Sequence, residues 1–183
     1  MRNEWNERAK EDAHYYVAFG RREQDDEGFF ATAAEVLNSF DQELKRGTPA
    51  APDSRRFLEI GCGPGRLLRP MSERCAEIHG VDVSDEMIAR ARANLSGIAH
   101  AHAHVGTGST LEQFADNSFD FVYSYAVFQH IPSREVVFSY LQEVIRVLKP
   151  GGLARLQING LPKDSGEYTT CSGVRVSGDE IRE

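Results

Sequence analysis

Cysteine is scarce in this 183-residue chain: Cys62, Cys75 and Cys171 are odd in number, far apart and in no C-x-x-C arrangement. That pattern excludes a disulfide framework and a zinc knuckle and reads as free thiols. Long apolar runs are missing as well; no stretch approaches the roughly 18 uninterrupted apolar residues of a membrane-spanning helix. The N-terminal MRNEWNERAKEDAH is charged throughout and lacks the short apolar core of a secretory signal, so a soluble, cytoplasmic protein with no membrane partner is expected. Clustered cations are absent too. The formal net charge is −7, and the pairs Arg21-Arg22 and Arg55-Arg56 read as solvated charges, so a nucleic-acid partner is not expected.

What is present is an alternation of helix-like and strand-like segments. Between Asp25 and Lys45 the residues Phe30, Ala33, Ala34, Leu37, Phe40 and Leu44 form a helical stripe, predicting one core-packing helix. Residues 47–54, GTPAAPDS, then break regular structure and open a new unit. Residues 1–46 are therefore expected to form an N-terminal helical lid or cap, and 47–183 the core, within one domain overall. In that core RFLEI, IHGVDV, a short strand at His102 to Val105, FDFVYS and LARLQI read as strands. GRLLRPMSERC, SDEMIARARANL and a helix opened by Pro132-Ser133 and ended by KPGG lie between them. This order predicts an α/β fold, a doubly wound Rossmann-like and mostly parallel sheet with helices on both faces. Ligands of such sheets bind beyond the carboxyl ends of the strands.

The sequence RFLEIGCGPGRLL sets Glu59 at the end of a strand and Gly61, Cys62, Gly63 and Gly65 in the turn before a helix. Only glycine lets backbone approach a ligand closely and take positive φ at no steric cost. A dinucleotide fingerprint needs a glycine at position 66, where this chain has Arg66. Glu59 would repel phosphate but suit a cationic group, so a zwitterionic or cationic nucleoside fits better than a diphosphate. Asp82 ends the next strand about 20 residues after the glycines, where a carboxylate can accept from both ribose hydroxyls; alternatively it caps the helix beginning near Ser84. Val83 and Met87 would flank the base, or Met87 simply packs.

With EIGCGPG, GVDVS, FDFVYSYAVFQHIP and VLKPGG in order over Phe57 to Ile158, the sequence resembles the class I S-adenosylmethionine-dependent methyltransferases, in particular the broad small-molecule group. The resemblance implies S-adenosyl-L-methionine as cofactor, with Glu59 and the glycines on its methionine part and Asp82 on its ribose. It sets Ser109, Thr110 and Leu111 beside the adenine, and Ser124 and Tyr125 toward the sulfonium and a small-molecule acceptor. Tyr15 and Tyr16 would close over the cofactor or pack as an exposed amphipathic pair. His130 is the candidate base, or else a histidine that steadies the loop before Pro132. His100, His102 and His104 would share a side of a strand, but with no acidic or cysteine ligand beside them no metal site is expected.

The strand FDFVYS is followed by SYAVFQHI, which lacks the Asn/Asp-Pro-Pro-Tyr motif and the paired glutamates of methyltransferases acting on DNA amino groups, protein glutamine or arginine. After LARLQI only a short tail remains, so the antiparallel strands that complete the family's sheet are expected to be missing, as in a truncated or shortened relative. Ser177 to Glu180 reads as a capping box. LARLQI would then be an exposed edge that pairs with YTTCSGVRV or with a second subunit, a homodimer. A cofactor-binding domain without activity and a nicotinamide-dependent oxidoreductase are the alternatives to methyl transfer.

Overall fold

The computed structural model describes residues 1–18, 22–47, 51–158, 174, 176 and 178–182. In chain order these form α1 (Arg2–Ala18), α2 (Asp26–Ala31), α3 (Ala34–Gly47), β1 (Arg56–Ile60), α4 (Leu68–Met71), β2 (Glu77–Asp82), α5 (Asp85–Asn94), β3 (Ala101–Val105), β4 (Phe119–Ser124), α6 (Arg134–Val147), β5 (Leu148–Leu156) and α7 (Gly178–Arg182). The strands make one sheet in the order β3-β2-β1-β4-β5, and every pairing in it is parallel. The chain thus builds outward from β1 to β3 and then returns to lay β4 on the other side of β1. That reversal opens a crevice beyond the carboxyl ends of β1 and β4.

Alternation along the central strands sends side chains to two cores. Phe57, Phe121 and Tyr123 face α3, α4 and α5, meeting Phe40, Leu44, Leu68, Met71 and Ala91. Leu58, Ile60 and Val122 face α6, meeting Val137, Tyr140 and Val144. All six residues of β4 are buried, as befits a parallel strand covered on both faces. No helix among the described residues is long and apolar enough to cross a membrane.

Three sequence expectations are corrected. The single helix expected between Asp25 and Lys45 is two, α2 and α3. The Thr32 hydroxyl donates to the Phe29 carbonyl (2.6 Å) and Arg66 Nη1 donates to the Thr32 carbonyl (3.2 Å), so a carbonyl at the junction is satisfied from outside the helix. The helix expected after the glycine turn shrinks to α4 and a 3-10 turn at Ser72–Arg74. KPGG does not simply end α6: β5 runs through it. The register against β4 jumps from Phe119↔Leu148 to Phe121↔Leu153, with Gly151 at φ 79° taking up the extra residues as a bulge. Most of YTTCSGVRV, Cys171 and Ser177 of the capping box lie outside the described residues. Of that tail, Val174 donates its N–H to the Ile131 carbonyl (2.8 Å) and is buried with Val176 against the α6 side of the core.

Candidate functional site

The glycine turn hangs from the neighbouring strand. Gly61 and Cys62 both donate N–H to the Val81 carbonyl (2.7 and 3.0 Å), which folds the chain back over the end of β1. Gly61 has φ 74°, and a Cβ there would lie 2.3 Å from Val127 Cγ2, so both conformation and space demand glycine. Asp82 locks the turn from the next strand tip: one carboxylate oxygen accepts from Gly63 N–H and the other from Ser84 N–H, each at 2.9 Å. The cap of α5 is Ser84, whose hydroxyl oxygen accepts from Met87 N–H (3.1 Å). Asp82 is therefore held by backbone donors, and burial lifts its pKa even though those donors pull the other way.

Glu59 is only 3% exposed, and its carboxylate accepts from the buried Tyr123 hydroxyl at 3.0 Å. Burial pushes its pKa up to about 8, against the pull of Tyr123 and of the Arg66 guanidinium, with the Asp82 charge adding to the rise. Arg66 reaches the same wall. Burial lowers its pKa while Glu59 raises it. Its guanidinium lies 5.5 Å from the centre of the Tyr125 ring, and its Nε is buried with no hydrogen-bond partner. A buried guanidinium N–H without a partner is unusual, because an unmet polar group costs about 1–3 kcal/mol.

Beyond β4 the chain supplies the opposite wall. Tyr125 is 37% exposed, and Ala126 is held at φ 59°, its N–H donated to Gln157 Oε1 (2.9 Å). A non-glycine residue in this region costs free energy that the surrounding contacts must offset, a feature frequent at functional sites. His130 closes a short 3-10 turn, Phe128–His130, and its ring stands edge-on to Trp5 at 5.3 Å. From α6 comes Tyr140, whose hydroxyl burial keeps protonated.

The remaining side of the crevice is α1. Its Ala9 and Ala13 pack on Met87, Arg2 donates to the Gly106 carbonyl (2.9 Å), and Asn6 Oδ1 accepts from the Ser84 hydroxyl (2.6 Å). The helix breaks at Asp12 (φ −165°, ψ 89°), whose carboxylate accepts from Tyr15 and Glu23 N–H groups. The turned segment brings Tyr16 and Val17 to the crevice, whereas Tyr15 lies under the Arg22 guanidinium at 4.4 Å.

One crevice of about 930 Å³, partly open to solvent, therefore gathers Glu59, Gly61, Cys62, Gly63, Asp82, Val83, Met87, Tyr125 and His130 from the residues singled out in the sequence. Others stand off its wall. Gly65 packs near Ala91, and the Ser124 hydroxyl ties β4 to the Ile60 carbonyl (2.8 Å). Ser109 accepts at its carbonyl from Ser139, the Thr110 hydroxyl pairs with Thr107, and buried Leu111 donates its N–H to Glu143. Gly106 and Gly108 reach the wall in their place. Sequence reasoning missed Arg66, Trp5, Val17 and Tyr140. Arg66 was noticed only as an absent glycine, though an arginine beside a glycine turn was itself a signal.

Comparison with known proteins agrees with this geometry. Residues 58–156 match the methyltransferase domain family. A ubiquinone biosynthesis O-methyltransferase of Ruegeria sp. (strain TM1040) is 34% identical over 122 residues, covering 66% of this chain and 47% of that protein. A phosphoethanolamine N-methyltransferase of Caenorhabditis elegans is 35% identical over 124 residues, covering 66% of this chain and 28% of that protein. The chain thus spans less than half the length of these relatives. Among solved structures, the YcgJ protein of Bacillus subtilis superposes with a TM-score of 0.57 at 28% identity, over 68% of this chain and 52% of that one. A Haemonchus contortus phosphoethanolamine N-methyltransferase, solved with phosphoethanolamine and S-adenosylhomocysteine, shares the fold with a TM-score of 0.69 at 18% identity, over 93% of this chain and 34% of that one. On the family match, the glycine turn and the parallel sheet together, the chain belongs to the class I S-adenosylmethionine-dependent methyltransferases.

Proposed function

We propose that this chain binds S-adenosylmethionine in the crevice and transfers its methyl group to a small-molecule acceptor by in-line displacement. The observation that carries the reading is the order of charges along the crevice. Buried Glu59 and Arg66, the latter with an unpartnered Nε–H, lie at one end, and Asp82 lies at the other, with a glycine backbone between them. An amino acid joined to a nucleoside needs that order: a carboxylate for its ammonium, a guanidinium for its carboxylate and an acceptor for its ribose hydroxyls. Glu59, Arg66 and Asp82 take those parts, and Val83 and Met87 border the base opposite Gly108. Ser109, Thr110 and Leu111 complete that end only by holding the loop through Ser139 and Glu143.

When bound, the cofactor supplies an electrophilic methyl group on a sulfonium, which departs as a neutral thioether and needs no acid. The protein's part is then placement and dryness. Holding the acceptor atom about 3–3.5 Å from the methyl carbon while excluding water lowers the barrier substantially. Trp5, Tyr16 and Val17 on α1 form the lid that excludes water, and Tyr125, Tyr140 and His130 border the acceptor space. His130 takes the acceptor's proton when the reacting group is a hydroxyl or an ammonium. The net charge of −7 and the aromatic lining of the crevice favour a small acceptor over a nucleic acid.

Calorimetric titration with S-adenosylhomocysteine and with NAD, followed by turnover on a panel of phenols, amines and carboxylates, tests the reading. Binding of the first alone, with methyl transfer to one acceptor class, is the expected result. Preference for NAD ends the proposal, and tight binding without turnover leaves only the non-catalytic alternative.

A further inference from the structure

Away from the crevice, the other end of β2 carries a second cluster. Glu77 and His79 alternate along β2 and point to the same face. The parallel register sets His79 opposite His102 on β3 and so brings His102 and His104 to that face too. His79 Nε2 lies 2.9 Å from Glu77 Oε1, and His102 Nε2 lies 3.9 Å from that same oxygen. The three ligand atoms fall within 4.8 Å of one another. The sequence expectation of no metal rested on the lack of an acidic ligand beside the histidines, and the fold supplies one from the neighbouring strand. His100 does not join them, because it precedes β3 and its Nε2 meets the Ser72 carbonyl (3.0 Å).

We propose that Glu77 Oε1, His79 Nε2 and His102 Nε2 form a site for a zinc-class divalent ion, with water in the fourth position. Ligands held at about 2.0–2.2 Å in a tetrahedral site sit roughly 3.4 Å from one another. The two separations to Glu77 Oε1 bracket that value, and the separation between the two histidines, within 4.8 Å, closes by no more than about 1.4 Å on binding. Mixed imidazole and carboxylate donors suit zinc, and also nickel or copper, rather than magnesium or calcium.

The surroundings complete the argument. Arg56 Nε donates to the second carboxylate oxygen of Glu77 (2.7 Å), which turns the first toward the histidines. His79 Nδ1 lies 3.0 Å from His104 Nε2. With the metal on Nε2, Nδ1 carries the proton and donates to His104, an outer partner of the kind that orients metal-bound histidine. Phe114 and Phe119 flank the His79 ring at 5.4 and 5.7 Å, while the His102 and Glu77 side chains stay 41% and 35% exposed. Residues 106–118, between β3 and β4, contain no helix, and Phe114 of that segment covers the buried His79 while leaving His102 and Glu77 reachable. Glu77 and His79 lie five and three residues before Asp82 on a strand rising about 3.3 Å per residue, so the ion stands roughly 10–16 Å from that carboxylate. It pins β2 to β3 and takes no part in the methyl transfer.

The test uses the full chain without a histidine tag, stripped with chelator, dialysed and then titrated with zinc in competition with a chromophoric chelator. One equivalent of zinc should bind and raise the melting temperature. Glu77→Gln and His102→Gln should weaken binding at least about 10–100-fold, His104→Gln by less, and His100→Gln not at all. His102 is exposed, so His102→Gln should melt like the wild type when both are metal-free, which separates lost binding from lost folding. Absence of stoichiometric binding, or binding that His102→Gln and Glu77→Gln leave intact because it resides on the thiols, overturns the proposal.

Discussion

The two carboxylates that bound β2 are built in opposite ways. Asp82, at the carboxyl end, is fixed by two backbone N–H groups, from Gly63 and Ser84, in a corner that closes within a few residues of chain. Glu77, at the amino end, is fixed by side chains, Arg56 and His79, that the sheet brings in from elsewhere on β1 and from two residues along β2. A carboxylate with backbone partners has a set position whatever the solvent does. One with side-chain partners can exchange them for a ligand at small cost. The difference teaches that rigidity at one end and adaptability at the other come from the same strand and differ only in where the donors reside.

The largest effect should come from breaking the rigid end. Asp82→Ala removes the ribose acceptor and leaves two backbone donors without a partner. Affinity for S-adenosylhomocysteine, measured by titration, should fall by about 1–3 kcal/mol, roughly 5- to 150-fold. Retained affinity would show that the carboxylate serves only the turn.

Next in size is a pH effect at Glu59. Its folded pKa near 8 lies above the usual 4.5, so folding takes up a proton between those values. The linked stability is complete below pH 4.5 and is lost as pH rises through about 8. Binding an ammonium needs the ionised form, so affinity should climb close to tenfold per pH unit below about pH 7 and level off through pH 8, with release of close to one proton below pH 7 seen in buffers of different ionisation enthalpy. Glu59→Gln should weaken binding and flatten both profiles; an unchanged slope would place the ammonium elsewhere.

The smallest effect belongs to the adaptable end. Glu77→Gln breaks a half-exposed pair with Arg56 and, in metal-free protein, should cost no more than about 1 kcal/mol in urea denaturation. A loss as large as that from Asp82→Ala would erase the contrast.

The same contrast explains what the sequence revealed. Glu59, Gly61, Gly63, Asp82 and Met87 were legible because their partners lie within one strand-turn-helix unit or the next, where spacing alone constrains them. The five parallel strands were legible for a similar reason, each being a short apolar run between turns. Arg66 was missed because its meaning depends on Glu59 and Thr32, on different elements. Trp5 and Val17 were missed because α1 is polar almost throughout and shows no apolar stripe, so only its docking on Met87 reveals which side faces the crevice. The break after Thr32 escaped for want of any proline or glycine there; a hydroxyl and a distant arginine make it. His79 matched an ordinary residue of the strand IHGVDV and Glu77 fell just before it, and only the register of β2 with β3 brings His102 to them.

Gly80, in the middle of β2, does not line the crevice, yet a Cβ there would come within 2.6 Å of Leu68 and 2.8 Å of Cys62. The missing methyl sets how deeply the floor beneath the glycine turn can sink. Any larger residue would lift Cys62 and shallow the whole trough, so a change hidden inside the sheet would surface as a fault in holding the nucleoside.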